Sequence, residues 1–348
     1  MPHPTLGKIG WCSTGGGFSG YNAAVYAYAL LCAGIGKPTV IESSSVSALT
    51  ALAWTEQPGI AGAEKALHLW EEYFTSFRMA FRYHVRAHLA WLRGETEFTS
   101  VFDTTPLQTI LERYIDLEAC VKSSIEWHII AKRFSDATPI IFLNRRVGEH
   151  THFVPQDQNL FPDLKKYEVH YLDGMNDAIN ARKLLRGGFS SIGLYPVIKR
   201  EEIGGQQCSD SDAINPLPVD SLFYSGCDTI FVFLNMPKER QKYVAVRPVS
   251  SHQSFLEIAG AQAMKLMFDF EWLYGEMKRE LVEYRIKEVQ SLAKKYGKKL
   301  FILRPERLHP DMGLFSNSSA AMAHQKEVGM RYVADFVEHL EENNLGAP

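Results

Sequence analysis

The chain has 348 residues, of which 46% are hydrophobic and 12% aromatic, and its formal net charge is -3. That apolar content is ample for a buried core and excludes a disordered polar chain. The near-balanced charge offers no electrostatic case for nucleic acid as a partner. In chain order, Lys8 to Cys12 reads as a first strand. A small-residue turn, Ser13-Thr14-Gly15-Gly16-Gly17-Phe18-Ser19-Gly20, then opens a helix from about Tyr21 to Ala33 that Gly34 ends. Pro38 precedes a second strand, Thr39 to Glu42, and the turn Ser43-Ser44-Ser45-Val46-Ser47 leads into a short helix from Val46 to Trp54. Fully apolar strands joined by a crossover of this length predict a parallel sheet covered on both faces.

From Ala61 to Leu92 the pattern is helical and rich in aromatics, with Arg78, Arg82 and Arg86 spaced by four and Arg93 beyond them. Strands return at Ile125–Ala131 and Thr138–Leu143, and the polar residues 144–166 read as an irregular surface excursion. Asn176 to Leu185 reads as a helix broken by Gly187-Gly188, and Asp228 to Leu234 as a buried strand. Leu266 to Tyr296 is helical and stops at Gly297, Lys299–Leu303 is a last strand, and Ala320–Leu340 is a closing helix. With no repeat or linker between them, these elements are expected to form one α/β domain over 1–348.

The five cysteines, Cys12, Cys32, Cys120, Cys208 and Cys227, are scattered and lack C-x-x-C spacing. A reducing compartment and no structural metal site are expected from that. The start has no charged stretch followed by an apolar one, so no signal peptide is expected. The apolar run Ala23 to Ile35 is too short to span a bilayer. The expected location is cytoplasmic, with peripheral membrane contact open.

Chemistry concentrates at the two turns. A glycine turn at a helix N-terminus presents backbone N–H groups to an anion or oxyanion. A serine on a sharp strand-to-helix turn is how a hydroxyl is presented as a nucleophile, which makes Ser45 the candidate. A serine-rich turn also serves as a plain helix cap. The later stretch Cys208-Ser209-Asp210-Ser211-Asp212-Ala213-Ile214-Asn215-Pro216 carries acids that could act as a base, although its residues are ordinary turn formers too. A competing reading uses Gly15, Gly17 and Gly20 as a G-x-G-x-x-G fingerprint, with Glu42 on a ribose. That would make the chain an NAD(P)- or FAD-dependent oxidoreductase. A Ser-His-Asp hydrolase could recruit His252 or His309, but its nucleophile follows a strand deeper in the chain than the second.

Taken together, the three segments resemble the patatin-like phospholipase family, whose pattern is a Gly-Gly-Gly-x-x-Gly turn, a G-x-S-x-G elbow and an Asp-Gly motif before Asn-x-x-Pro. Ser190-Ser191-Ile192-Gly193-Leu194-Tyr195-Pro196-Val197, Ser225-Gly226-Cys227 followed by Asp228-Thr229-Ile230-Phe231-Val232, and Gly329-Met330-Arg331-Tyr332-Val333-Ala334 are similar to further stretches of that family. The resemblance implies a three-layer α/β/α fold with a mostly parallel central sheet, and a serine lipid acyl hydrolase of the phospholipase A or lysophospholipase kind. It implies Ser45 and Asp210 as a catalytic dyad, Gly15, Gly16 and Gly17 as the oxyanion turn, and Ser43, Ser47 and Ser211 as supports. It further implies a phospholipid or other acyl-ester substrate, with no cofactor and no metal. The aromatic, arginine-bearing segment at about 61–95 is then an insertion or lid, or else a core helix with a solvated arginine stripe. The chain departs from the pattern at Ser19, where arginine is usual, and at Ser43, Ser47 and Ser211, where glycine is usual. Each serine would cost roughly 1 kcal/mol if its backbone needs positive φ. A catalytically impaired lipid- or protein-binding module therefore stands beside the enzyme reading.

Overall fold

In the computed structural model the described residues are 6–75, 77–83, 90, 93–95, 100, 102–193, 198, 201–203, 205–212, 215–239, 277–312 and 317–342. The strands are β1 (Ile9–Ser13), β2 (Val40–Ser44), β3 (Arg82–Tyr83), β4 (Phe102–Asp103), β5 (Glu126–Arg133), β6 (Pro139–Arg146), β7 (Glu168–Leu172), β8 (Glu201–Ile203), β9 (Gln206–Ser209), β10 (Thr229–Phe233) and β11 (Lys299–Leu303). The helices are α1 (Tyr21–Cys32), α2 (Ser47–Glu56), α3 (Ile60–His68), α4 (Phe77–Ala80), α5 (Thr105–Tyr114), α6 (Leu117–Val121), α7 (Asp177–Ile192), α8 (Asp220–Tyr224), α9 (277–295) and α10 (Ser319–Glu342).

The main sheet runs β11-β10-β1-β2-β5-β6-β7, with β9 on β5 and β8 on β9. The strands from β11 to β5 are parallel, and β6 turns back antiparallel to β5. Side chains alternate between the faces of a strand, so each strand feeds two cores. Trp11, Ile129, Phe231 and Phe233 join α1, α2, α3, α7 and α10 in one core. Cys12, Ile130, Ile230 and Val232 join α8 and α9 in the other. The result is three layers, α/β/α, with a mostly parallel sheet between helices. α1 is apolar almost all round because α3 and α10 pack against it. Among the described residues no helix is long and apolar enough to cross a membrane.

Three expectations need correction. The segment 61–92 is not one helix: α3 widens into a π turn, Leu69–Tyr73, and stops at Phe74. Trp70 and Phe74 of that stretch are buried, and Trp70 packs edge-on against Phe18 and Tyr21, so the first part is core and not lid. Arg82 lies on β3, where it pairs with Asp103 of β4 at 2.6 Å, so it shares no helical face with Arg78. Arg86 lies outside the described residues. Gly187 and Gly188 do not break a helix, because α7 runs through both. A Cβ on Gly187 would stand 3.3 Å from Ile129 Cδ1 and 3.4 Å from Phe142 Cγ, so glycine there lets the helix lie close on β5 and β6. Residues 144–166 are irregular beyond the end of β6, apart from one 3-10 turn, Pro155–Asn159.

Candidate functional site

β1 and β2 are adjacent and parallel, and Ser13 is in register with Ser43. The two small-residue turns therefore leave the same end of the sheet side by side. β2 ends at Ser44 and α2 begins at Ser47, which leaves two residues to reverse direction. Ser45 carries that reversal at φ 55, one of two non-glycine residues at positive φ among the described residues. An L-residue in that region is strained by its Cβ, and it is held there because the strand before it and the helix after it are both packed. Its backbone N–H donates to Ser191 Oγ at 2.7 Å, and Ser191 Oγ donates to the Ile130 carbonyl at 2.6 Å. Ser45 is 8% exposed.

The glycine turn closes over this serine. Gly15 lies so near that a Cβ on it would stand 2.5 Å from Ser45 Cβ. Gly16 at φ 151 and Gly17 at φ 58 occupy backbone regions that favour glycine. Among the described residues the amides of Gly15, Gly16 and Gly17 donate to no protein acceptor. The turn is tied down through Thr14, whose carbonyl accepts from Ser47 Oγ at 2.6 Å and from Asn235 Nδ2 at 2.5 Å. Asn235 also donates its own amide to Thr14 Oγ1 at 3.1 Å.

Asp210 enters from β9, which pairs antiparallel with Lys132 and Arg133 at the end of β5. The Asp210 amide donates to the Gly193 carbonyl at the end of α7, at 3.0 Å. Its carboxylate lies within electrostatic reach of the Ser45 hydroxyl, and Oδ1 accepts the Asp212 amide at 2.8 Å. Burial, and after it the neighbouring Asp212 carboxylate, push the Asp210 carboxyl up to about 7. The Ser45 hydroxyl, the Asp212 amide and the Lys278 charge act in the opposite direction. A hydroxyl next to such a carboxylate and a glycine turn could give up its proton as it adds to a polarised carbonyl.

The supporting serines do more than keep the turn small. Ser43 Oγ accepts from Trp127 Nε1 at 2.7 Å, and Ser47 Oγ holds the glycine turn through the Thr14 carbonyl. Ser211 is buried, and its Oγ has no partner among the described residues. None of Ser43, Ser47 and Ser211 has positive φ, so the strain expected of them does not arise. The strained position is Ser45 itself.

The dinucleotide reading fails on burial. Glu42 is 0% exposed and buried in the core, where Ser221 Oγ of α8 donates to it. Burial raises its pKa well above the ordinary value. A ribose cannot reach it. Gly20 is packed as well, since a Cβ there would stand 2.7 Å from Val46 Cγ1. Beyond Ser221, His128 Nδ1 lies 2.7 Å away and its Nε2 lies 2.7 Å from Glu126, all of it sealed beneath α8. His252 lies outside the described residues, and His309 stands beside Asp311 and His324. Among the described residues no group of three or more His, Cys, Asp or Glu could hold a metal ion.

Three residues of the site carry no sequence signal of their role. Asn235 and Lys278 stand in no motif, and Ser191 lies in a stretch whose likeness to the family assigns it no task. Lys278, on α9, forms a buried ion pair with Asp212.

No family model matches the sequence, and no curated protein matches it. Among solved structures the chain is similar to VipD from Legionella pneumophila, at 8% sequence identity and a TM-score of 0.36, covering 94% of this chain and 67% of that one.

Proposed function

We propose that the chain is a serine acyl hydrolase in which Ser45 is the nucleophile and Asp210 the base. The observation that carries this is Ser45 held at positive φ, beside the Asp210 carboxylate and close against Gly15 of the glycine turn. Ser45 Oγ attacks the ester carbonyl while the Asp210 carboxylate takes its proton. The carbonyl oxygen becomes an oxyanion facing the glycine amides, which are the donors this reading assigns to it. Collapse expels the alcohol, which takes the proton back from Asp210. Water then attacks the acyl-serine with Asp210 again as base, releasing the acid and restoring the hydroxyl. Every group in the sequence of steps is a protein group, so the chemistry needs no metal or organic cofactor. The resemblance to patatin-like phospholipases supports an acyl lipid such as a phospholipid as substrate, reached by peripheral contact with a membrane surface.

The test is a fluorophosphonate probe together with a short-chain acyl ester, followed by mapping of the labelled peptide. Labelling and turnover are expected, with the adduct on Ser45. An adduct on another residue, or no adduct on the folded protein, overturns the assignment, and the second result favours a non-catalytic binding module. Gly15→Ala is expected to lower labelling and turnover by about 10²-fold. The new methyl would strike the Asp212 carboxylate and Ser45 Cβ, so either the hydroxyl or the turn must move. An alanine variant that labels at the wild-type rate would show that the turn does not lie over the serine.

A further inference from the structure

Asp212 touches every part of the site. Its Oδ1 accepts from Ser44 Oγ at 3.3 Å, just before the nucleophile turn. Its backbone N–H donates to Asp210 Oδ1 at 2.8 Å. Its Oδ2 is the atom nearest to a Cβ built on Gly15, so the carboxylate lies against the glycine turn. The same Oδ2 is paired with Lys278 Nζ, and the two side chains are 3% and 5% exposed. A carboxylate in that place is at odds with the chemistry. Its negative charge, in a site largely closed to water, opposes the oxyanion that must form beside the same turn.

We propose that Lys278 is a positioning residue for the acyl-transfer site: it neutralises and fixes Asp212, so that Asp212 can brace the elbow, the glycine turn and the base without repelling the oxyanion. The inference rests on the hydrolase reading above. Lys278 does this from outside the motif-bearing part of the chain. It belongs to α9, whose next residue, Arg279, donates through Nη1 to the Pro237 carbonyl at 3.0 Å and the Lys238 carbonyl at 2.9 Å. Those carbonyls follow Asn235, the residue that holds Thr14. Lys278 and Arg279 of α9 therefore fasten the glycine turn from two directions, by charge at Asp212 and by hydrogen bonds behind Asn235.

The experiment measures kcat and KM for a short-chain acyl ester in wild type, Lys278→Met, Asp212→Asn and the double variant, with unfolding curves for each. Lys278→Met leaves a buried unpaired carboxylate beside the oxyanion, so kcat is expected to fall about 100-fold with KM changed by less than about threefold. The double variant removes both charges. An asparagine side chain at position 212 retains an acceptor for Ser44, and its backbone N–H still reaches Asp210, so kcat is expected to return to within about tenfold of wild type. Where Lys278→Met does not fold, the folded double variant against wild type decides the matter alone. A wild-type kcat in folded Lys278→Met, or a double variant about 100-fold down, overturns the inference while the hydrolase reading stands. A wild type with no Ser45-dependent turnover overturns that reading, and the inference with it.

Discussion

Ser45→Gly is expected to lower ester turnover by about 10⁴-fold or more, and to be more stable than Ser45→Ala by about 0.5–1 kcal/mol. Both variants lose the Ser45 hydroxyl and its interaction with the Asp210 carboxylate, so those losses cancel in the comparison. What differs is the Cβ. At φ 55, an alanine retains the clash that costs an L-residue about 1–2 kcal/mol, while glycine escapes it. Glycine gives back about 0.4–1 kcal/mol through the greater freedom of its unfolded chain, which leaves the net difference in its favour. Urea unfolding of the two inactive proteins measures it. An alanine variant as stable as the glycine variant would mean that the elbow stores no backbone strain, and would weaken the case that the turn exists to present a hydroxyl.

How the site could be read from sequence follows from where its parts lie. Ser45 and the glycine turn are legible because each follows an apolar run, and adjacent parallel strands bring consecutive turns to one end of the sheet. Asp210 lies 165 residues beyond Ser45 (210 − 45), on an excursion from β9, and only the family pattern points to it. Asn235, Ser191 and Lys278 are single residues whose meaning comes from tertiary placement. Asn235 bonds to Thr14 across 221 positions, Ser191 to Ser45 across 146, and Lys278 to Asp212 across 66. No local pattern marks such partners. The substituted serines mislead for a different reason. A glycine in a motif suggests positive φ, but a motif cannot reveal which of its positions bears it. Here it is Ser45, and serine at 43 and 47 supplies hydrogen bonds that glycine could not.

In the fold, fully buried strands are the legible part. β1, β2, β10 and β11 stand where apolar runs predict them, to within two residues. β7 escapes such a reading because Glu168-Val169-His170-Tyr171-Leu172 is a half-buried edge strand without a continuous apolar run. The 61–92 segment misleads because aromatics at helical spacing continue past the end of α3, where the chain turns at Phe74 to bury that ring. Gly187-Gly188 misleads because a glycine pair reads as a break, whereas a helix pressed against a sheet can need glycine for clearance. In each case tertiary packing overrides a sound local rule.

Asp210→Asn joins the largest loss of activity to a gain in stability. Burial and Asp212 raise the Asp210 carboxyl to about 7 in the folded protein, against 3.8 ordinarily. The sign follows from the raised value. Below the unfolded pKa the carboxyl is protonated in both states, and its contribution to stability is fully present. Between about 4 and 7 the unfolded chain ionises and the folded one does not, so stability falls as pH rises through that window. Above it, the ionised group costs up to about 4 kcal/mol relative to a neutral one. Asparagine cannot ionise, and its carbonyl still accepts the Asp212 amide. The variant should therefore unfold at higher denaturant than wild type at about pH 8, and the gap should close toward about pH 4. In the proposed mechanism, turnover needs the opposite state of the same group. The carboxylate must be free to take the Ser45 proton, so wild-type kcat/KM should rise about tenfold per pH unit up to about 7 and then level, while the asparagine variant stays flat and about 10³-fold or more lower. Loss of activity without a gain in stability at high pH would mean that Asp210 is already ionised at no cost in the folded protein. A carboxylate that well satisfied would be a poor base for a serine hydroxyl.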